Sequence, residues 1–297
     1  MKKTLAMMTA AMMVAGALAG CGSSSSTPVA TTAEATTAAA TEAATTEVAT
    51  TEAGDTAAAA EGTVKTPSGK FTVGFDQEFP PMGFVGDDGQ FTGFDLDLAK
   101  EVASRLGLEF VPQPINWDAK DMELDSGNID CIWNGFTMQG REDAYTWVGP
   151  YMANNQVFVV TADSDIASKA DLAGKAVEVQ KDSSGLAALQ GDAELSASFG
   201  SMTEVADYNT ALMDLESGAC DAVCMDSIVA GYQIKSSGKD MKILDDTLSA
   251  EEYGIGFKKG EDELVKAVYD TLMEMKDDGT VAKISNDWFG SDVFTLK

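Results

Sequence analysis

The sequence predicts an α/β protein built in two parts, and three observations carry that prediction. From residue 71 onward, short β-type apolar runs alternate with helix-type patterns in the order strand, helix, strand, helix, strand, which is the pattern of a parallel α/β layer. This region, residues 67–297, is large for one domain and natural for two. Residues 22–66 ahead of it are dominated by Ala, Thr, Ser and Glu and contain no aromatic side chain. Such a stretch cannot bury enough apolar surface to offset the ordering of its backbone, so it is expected to act as a spacer.

The elements follow in order. Residues 71–75 alternate as a first strand and run into a loop forced by Pro80 and Pro81. Phe84-Val85 and Phe91-Thr92 flank a Gly-Asp-Asp-Gly turn and read as a hairpin. Asp95 is expected to cap a helix whose inner face carries Leu98, Val102 and Leu106 and which stops at Gly107. A strand at 108–111 comes next, then a short helix capped by Asp118 and ended by Gly127, then an apolar run at 129–133. Further on, the pattern gives a strand at 156–161, a helix at 186–190 preceded by Ser183 and Ser184, and a strand at 222–225 ending in Asp226. The closing amphipathic helix, 262–276, turns Leu264, Val268 and Leu272 inward.

Composition excludes several functions. A net charge of −28 argues against a nucleic-acid partner, because phosphate backbones require basic surfaces. With no histidine in the chain, His-based triads and His metal sites are ruled out. Cys220 and Cys224 lack the second ligand pair of a metal site; with Cys131 they are expected as free structural thiols, and no cofactor is implied.

The stretch 129–141 draws attention as a site. After its apolar half come Asn134, Gly135, Phe136, Thr137, Gln139 and Gly140, then Arg141, just past a strand where ligands of open α/β sheets bind. A guanidinium fork suits a carboxylate. The alternative is a surface arginine paired with Glu142 or Asp143.

Residues 1–19 carry Lys2 and Lys3 ahead of an apolar run, 5–18, too short for the ~20 residues of a membrane span and built like a secretory signal. Leu18-Ala19-Gly20-Cys21 resembles the lipobox of bacterial lipoproteins. That resemblance implies that residues 1–20 are removed, that Cys21 is lipidated, and that residues 21–66 tether the protein outside the cytoplasmic membrane.

Val73-Gly74-Phe75-Asp76 with Phe79-Pro80-Pro81-Met82, the stretch beginning Gly93-Phe94-Asp95, and the stretch from Ile129 to Arg141 together resemble the polar amino acid family of periplasmic-type binding proteins. The likeness continues through 171–180, 218–226, 253–257 and 278–289, in order. It implies the two-lobe type II fold with two hinge crossings, near 151–155 and 247–251. Lobe 1 would be 67–153 plus 249–297, and lobe 2 would be 154–248. It also implies a monomeric extracytoplasmic receptor that delivers a free amino acid to an ABC permease and its ATPase, rather than an enzyme.

The resemblance assigns roles residue by residue. Arg141 would take the ligand carboxylate, although it stands four residues after Thr137 where the family commonly has five, so the loop must tighten, with Gly140 as the candidate. Ser183 and Ser184 would complete the cradle at a helix start, or else form a plain N-cap pair. Asp226 would hold the ammonium, and Asn134, Gly135, Phe136 and Thr137 would add backbone and hydroxyl contacts. Phe79 and Trp117 would face each other across the ligand side chain, with Asp76 at its far end. Two aromatic faces and a carboxylate favour arginine or lysine. Glutamine, histidine or cystine would use the same slot, and a cyclohexadienyl dehydratase-like enzyme on this fold is the remaining alternative.

Overall fold

The structure is a computed structural model that describes Thr66 and residues 68–297. The expected signal segment, the Cys21 anchor and residues 22–65 of the spacer lie outside the described residues.

The first strand, β1 (Lys70–Phe75), leads to β2 (Glu78–Phe79), then the hairpin β3 (Gly83–Val85) and β4 (Phe91–Thr92), then α1 (Phe94–Leu106). β5 (Glu109–Pro114), α2 (Lys120–Ser126) and β6 (Cys131–Thr137) follow. The 16-residue β7 (Thr146–Thr161) carries the chain into β8 (Ala176–Gln180), α3 (Ser184–Gly191), α4 (Ala193–Ser198), β9 (Ser201–Val205), α5 (Tyr208–Ser217), β10 (Ala222–Asp226) and α6 (Ser227–Ser237). The 17-residue β11 (Met241–Phe257) brings it back to α7 (Asp262–Asp277) and α8 (Thr280–Phe289).

The main sheet runs β5-β1-β6-β11-β7-β10-β8-β9. At one end β5, β1 and β6 pair in parallel; at the other, β10, β8 and β9 do. Between them β7 and β11 pair antiparallel with each other and reach into both ends, β11 against β6 and β7 against β10. A strand of that length extends about 50 Å, enough to cross from one lobe to the other. One buried cluster joins Phe71, Val73 and Phe75 of β1, Leu98 and Val102 of α1, and Val268 and Leu272 of α7, and continues into the second lobe through Tyr208, Leu212 and Val223. Phe158, Val177, Val179, Leu189 and Cys224 form a second cluster there. The thiols of Cys131, Cys220 and Cys224 are free and buried.

Several expectations need correcting. Both expected crossings lie inside continuous strands. The punctuating residues Gly149 and Pro150 are accommodated because Met152 pairs with Tyr253 and Val148 with Ile255, leaving 149–151 bulged opposite Gly254. β11 is irregular again between Ile243 and Ser249. The regular pairing of Ser249 to Tyr253 against Gln156 to Met152 is thus flanked by bulges at both ends, beyond which Met241 to Ile243 pair with Thr161 to Val159 and Ile255 to Phe257 with Val148 to Thr146.

The strand expected at 129–133 begins instead at Cys131 and runs through Thr137, every residue of it buried. Asp118 lies within a single 3-10 turn and caps nothing. Asp95 is not the cap of α1; that position is Gly93, at φ 146°, where a Cβ would stand 2.2 Å from the Met82 carbonyl oxygen. The Asp95 carboxylate is fully buried and instead accepts from the Gly135 amide at 2.6 Å and the Tyr151 hydroxyl at 2.8 Å.

Candidate functional site

The two lobes meet along a cleft, and the expected site residues distribute along it. On the first lobe, β6 carries Asn134, Gly135, Phe136 and Thr137. Gly135 takes φ 55°, and a Cβ there would press on the Phe79 and Tyr253 rings at 3.0 and 3.1 Å, so this bend in a buried strand requires glycine. The Asp95 carboxylate pins the bend through the Gly135 amide. Burial pushes that carboxyl up to about 7, against the lowering effect of its donors. Asn134 Oδ1 accepts from the Asp76 amide at 3.0 Å, while its buried Nδ2 has no protein partner.

Beyond Thr137 the chain turns, with the Arg141 amide donating to the Met138 carbonyl at 3.0 Å and Gly140 left-handed at φ 78°. This turn is tight enough to bring the guanidinium back over the Phe136 ring, 5.2 Å from its centroid. Arg141 donates to the carbonyls of Thr137 and, across the cleft, Asp182, both at 3.3 Å. No carboxylate is ion-paired with it among the described residues.

On the second lobe Ser183 caps α3 by accepting from the Leu186 amide at 3.1 Å. Ser184 faces the cleft, accepting from Thr137 Oγ1 at 3.2 Å and from Gln156 Nε2 at 3.1 Å. Arg141, Ser183 and Asp182 line a cavity of about 570 Å³.

Asp226 ends β10 in a buried polar cluster. Its carboxylate accepts from Tyr253 and Asn154 at 2.7 Å and from Tyr208 at 3.1 Å. Glu251 stands beside it, 5 % exposed, and accepts from the same Asn154 nitrogen at 2.6 Å and from Gln156 at 2.9 Å. Burial, then the neighbouring Glu251, push the Asp226 carboxyl well above the usual carboxylate range.

The side-chain end of the cleft is a cavity of about 1020 Å³ lined by Asp76, Trp117, Asp118, Lys181, Asp207 and Asn209 among others. Burial raises Asp76 to about 6, although the Glu78 amide and Gln180 Nε2 donate to it at 2.8 and 2.7 Å. Phe79 packs on Tyr208, with ring centroids 5.8 Å apart. Trp117 packs edge-on to Phe136 at 5.5 Å and bears the Lys120 ammonium over its other contact surface at 5.3 Å. Lys120 is 2 % exposed and ion-paired across the cleft to Asp182, while Lys181 reaches back to Asp118 at 2.7 Å.

Sequence reasoning passed over Glu251, Asn154, Gln156, Gln180, Tyr208 and Lys120. The two crossings did hold a signal: within a strand, Asn154 and Gln156 fall on one face, as do Glu251 and Tyr253. Lys120 gave none, since Asp-Ala-Lys-Asp reads as an ordinary solvated helix start.

Two α/β lobes joined by paired crossing strands, with an arginine that has no acid partner among the described residues and a buried acid along the cleft between them, define a small-molecule binding protein. The chain matches the bacterial extracellular solute-binding proteins, family 3, over residues 71–291, and belongs to that family. It is 32 % identical over 231 residues to the L-cystine-binding protein TcyJ of Escherichia coli, covering 76 % of this chain and 84 % of that one. It is 30 % identical over 226 residues to the arginine-binding extracellular protein ArtP of Bacillus subtilis, covering 74 % and 86 %. A substrate-binding protein of an ABC uptake transporter from Streptococcus pneumoniae, solved with bound histidine, superposes with a TM-score of 0.74 at 34 % identity, covering 77 % of this chain and 96 % of that one. No helix among the described residues is long and apolar enough to cross a membrane.

Proposed function

We propose that this protein captures a polar L-amino acid between its lobes and hands it to an ABC importer. The observation that carries this reading is a separation of charge along one cleft: among the described residues the Arg141 guanidinium has no carboxylate partner and the Asp226 cluster no cation. An α-amino acid supplies the missing anion and cation from one carbon. Arg141 with the Ser184 hydroxyl and the start of α3 takes the carboxylate, and Asp226 takes the ammonium. Asn134, Gly135, Phe136 and Thr137 form the floor, and Ser183 fixes α3. Asp76, Phe79 and Trp117 meet the side chain. The lobes divide as 67–153 with 249–297 and as 154–248, and a lipid on Cys21 holds the monomer at the outer face of the membrane.

A cationic side chain, arginine or lysine, is the first reading. The outer cavity supports it, because Asp76, Glu78, Asp118, Glu204 and Asp207 face it with Lys181 alone opposing. Cystine is the second, favoured by the likeness to a cystine-binding protein and by the Lys120 ammonium over Trp117, where a guanidinium would otherwise stack. Calorimetry on protein unfolded and refolded to remove carried-over ligand tests both. Binding of L-arginine or L-lysine tighter than L-cystine by tenfold or more supports the first, and the reverse order supports the second. Turnover of arogenate or prephenate would replace both readings with an enzyme.

A further inference from the structure

The cluster around Asp226 holds more acid than one ammonium contact requires. Glu251 comes from β11 and Asn154 from β7, register partners in the regular segment between the two sets of bulges. The single Asn154 amide nitrogen reaches both carboxylates, at 2.7 and 2.6 Å. Neither acid is ion-paired with a lysine or arginine among the described residues. The titratable groups that face the pair are Tyr208 from α5, Tyr253 from β11 and Cys224 from β10, each held protonated by burial, so none supplies positive charge. From β7 and α3 come only the neutral Asn154, Gln156 and Ser184. Two buried like charges this close cannot both persist without a cation.

One further atom is unexplained. Gln156 is fully buried and its Oε1 has no protein partner, held open on one side because Gly185 lacks the Cβ that would stand 2.7 Å away. An ammonium has three N–H donors. The cluster offers three acceptors: the Asp226 carboxylate, the Glu251 carboxylate and Gln156 Oε1. Ser184, hydrogen-bonded to Thr137 at 3.2 Å and directed at Glu251 at 3.5 Å, links this cluster to the cleft floor.

We propose that Glu251 is a second anionic contact for the ligand ammonium, beside Asp226, and that the arriving ammonium displaces a proton from the Asp226 carboxyl. The proposal rests on the amino acid receptor reading above. In the exchange one carboxyl O–H bond breaks and its proton leaves to solvent, while the ammonium keeps all three of its hydrogens. A cation lowers the proton affinity of Asp226, so affinity rises with pH up to the point where Asp226 ionises unaided in the ligand-free protein, and levels off above it.

The test has two arms. In the first, L-arginine, L-histidine and L-cystine are titrated into the protein in buffers of different ionisation enthalpy near neutral pH. Wild type should release a measurable fraction of one proton per ligand bound. Glu251→Gln should reduce that release, shift the pH profile toward lower pH and weaken binding by about tenfold. Binding without proton release by wild type, or an unchanged Glu251→Gln, overturns the proposal and leaves the receptor reading standing.

The second arm needs no ligand: acid–base titration of the free protein, wild type against Glu251→Gln, with Asp226→Asn as a second variant. A carboxyl proton retained above the ordinary carboxylate range in wild type, released at lower pH in Glu251→Gln and absent in Asp226→Asn supports the pair, even if none of the three amino acids binds and the receptor reading fails. Coincident titrations overturn the pair.

Discussion

The inner and outer ends of the cleft are built on different electrostatic plans. At the inner end Asp226 and Glu251 are buried with neutral donors alone, and no lysine or arginine among the described residues pairs with them. At the outer end some of the acids have a cation: Asp182 has Lys120 and Asp118 has Lys181, while Asp76, Glu78, Glu204 and Asp207 line the cavity without an ion pair among the described residues. A buried charge without a counter-ion is costly, whereas an exposed pair such as Asp118 with Lys181 contributes little. The contrast teaches a division of labour. On the proposed reading the inner end, buried and without a cation among the described residues, receives the ammonium common to all amino acids. The outer end keeps an excess of acid that Lys120 and Lys181 offset only in part, so on the same reading it tunes which side chain is accepted.

The largest expected effect is at the inner half. Arg141→Ala should weaken amino acid binding by about a hundredfold or more, because the ligand carboxylate would be left desolvated and unpaired. Calorimetry with far-UV circular dichroism as a folding control checks it. Undiminished affinity would remove Arg141 from the site.

Asp226→Asn should separate stability from function. Relieving the acid pair should raise the melting temperature of the ligand-free protein by roughly a few degrees, while the ligand-induced rise should shrink. Stability and ligand response moving together would contradict the unbalanced inner end.

Asp76 lies between the two plans and carries a pH signature. Its folded value of about 6 lies above the ordinary 3.8. Its contribution to stability is therefore fully present below about pH 4 and lost as pH rises through 6. Asp76→Asn should match wild type in melting near pH 4 and exceed it near pH 7.5, by at most about 3 kcal/mol. The same variant should weaken L-arginine more than L-glutamine. Equal losses would argue against a cationic slot.

The smallest effects belong to the rim. Lys181→Ala removes a pair whose side chains are 57 % and 41 % exposed, and should change affinity by no more than about threefold, less at high salt. Lys120→Met should shift the ratio of L-arginine to L-cystine affinity toward arginine by freeing the Trp117 face. An unchanged ratio would show that Lys120 does not set selectivity.

Much of this was legible in the sequence, and the gaps have physical causes. The αβ alternation and the face of α7 carried the lobes because burial imposes periodicity. Arg141 and Asp226 were legible because each follows an apolar strand. The crossings near 151–155 and 247–251 carry no strand signal of their own; pairing with the antiparallel partner, about a hundred residues away, makes them strand. Asp95 looked like a cap because local spacing cannot reveal that Gly135, forty residues on, needs its carboxylate. Glu251 stayed hidden for the same reason: next to Glu252 it reads as surface, and pairing alone turns one of the two inward.

The central claim is that this cleft awaits an amino acid. The most direct measurement is the melting temperature of the refolded protein against each of the common amino acids and cystine. A ligand that binds only the folded state must raise it in proportion to the logarithm of its concentration over its dissociation constant. The account predicts a clear rise with one polar amino acid or a small set of them, absent in Arg141→Ala. No rise with any of them, in protein shown by circular dichroism to have refolded, would contradict it.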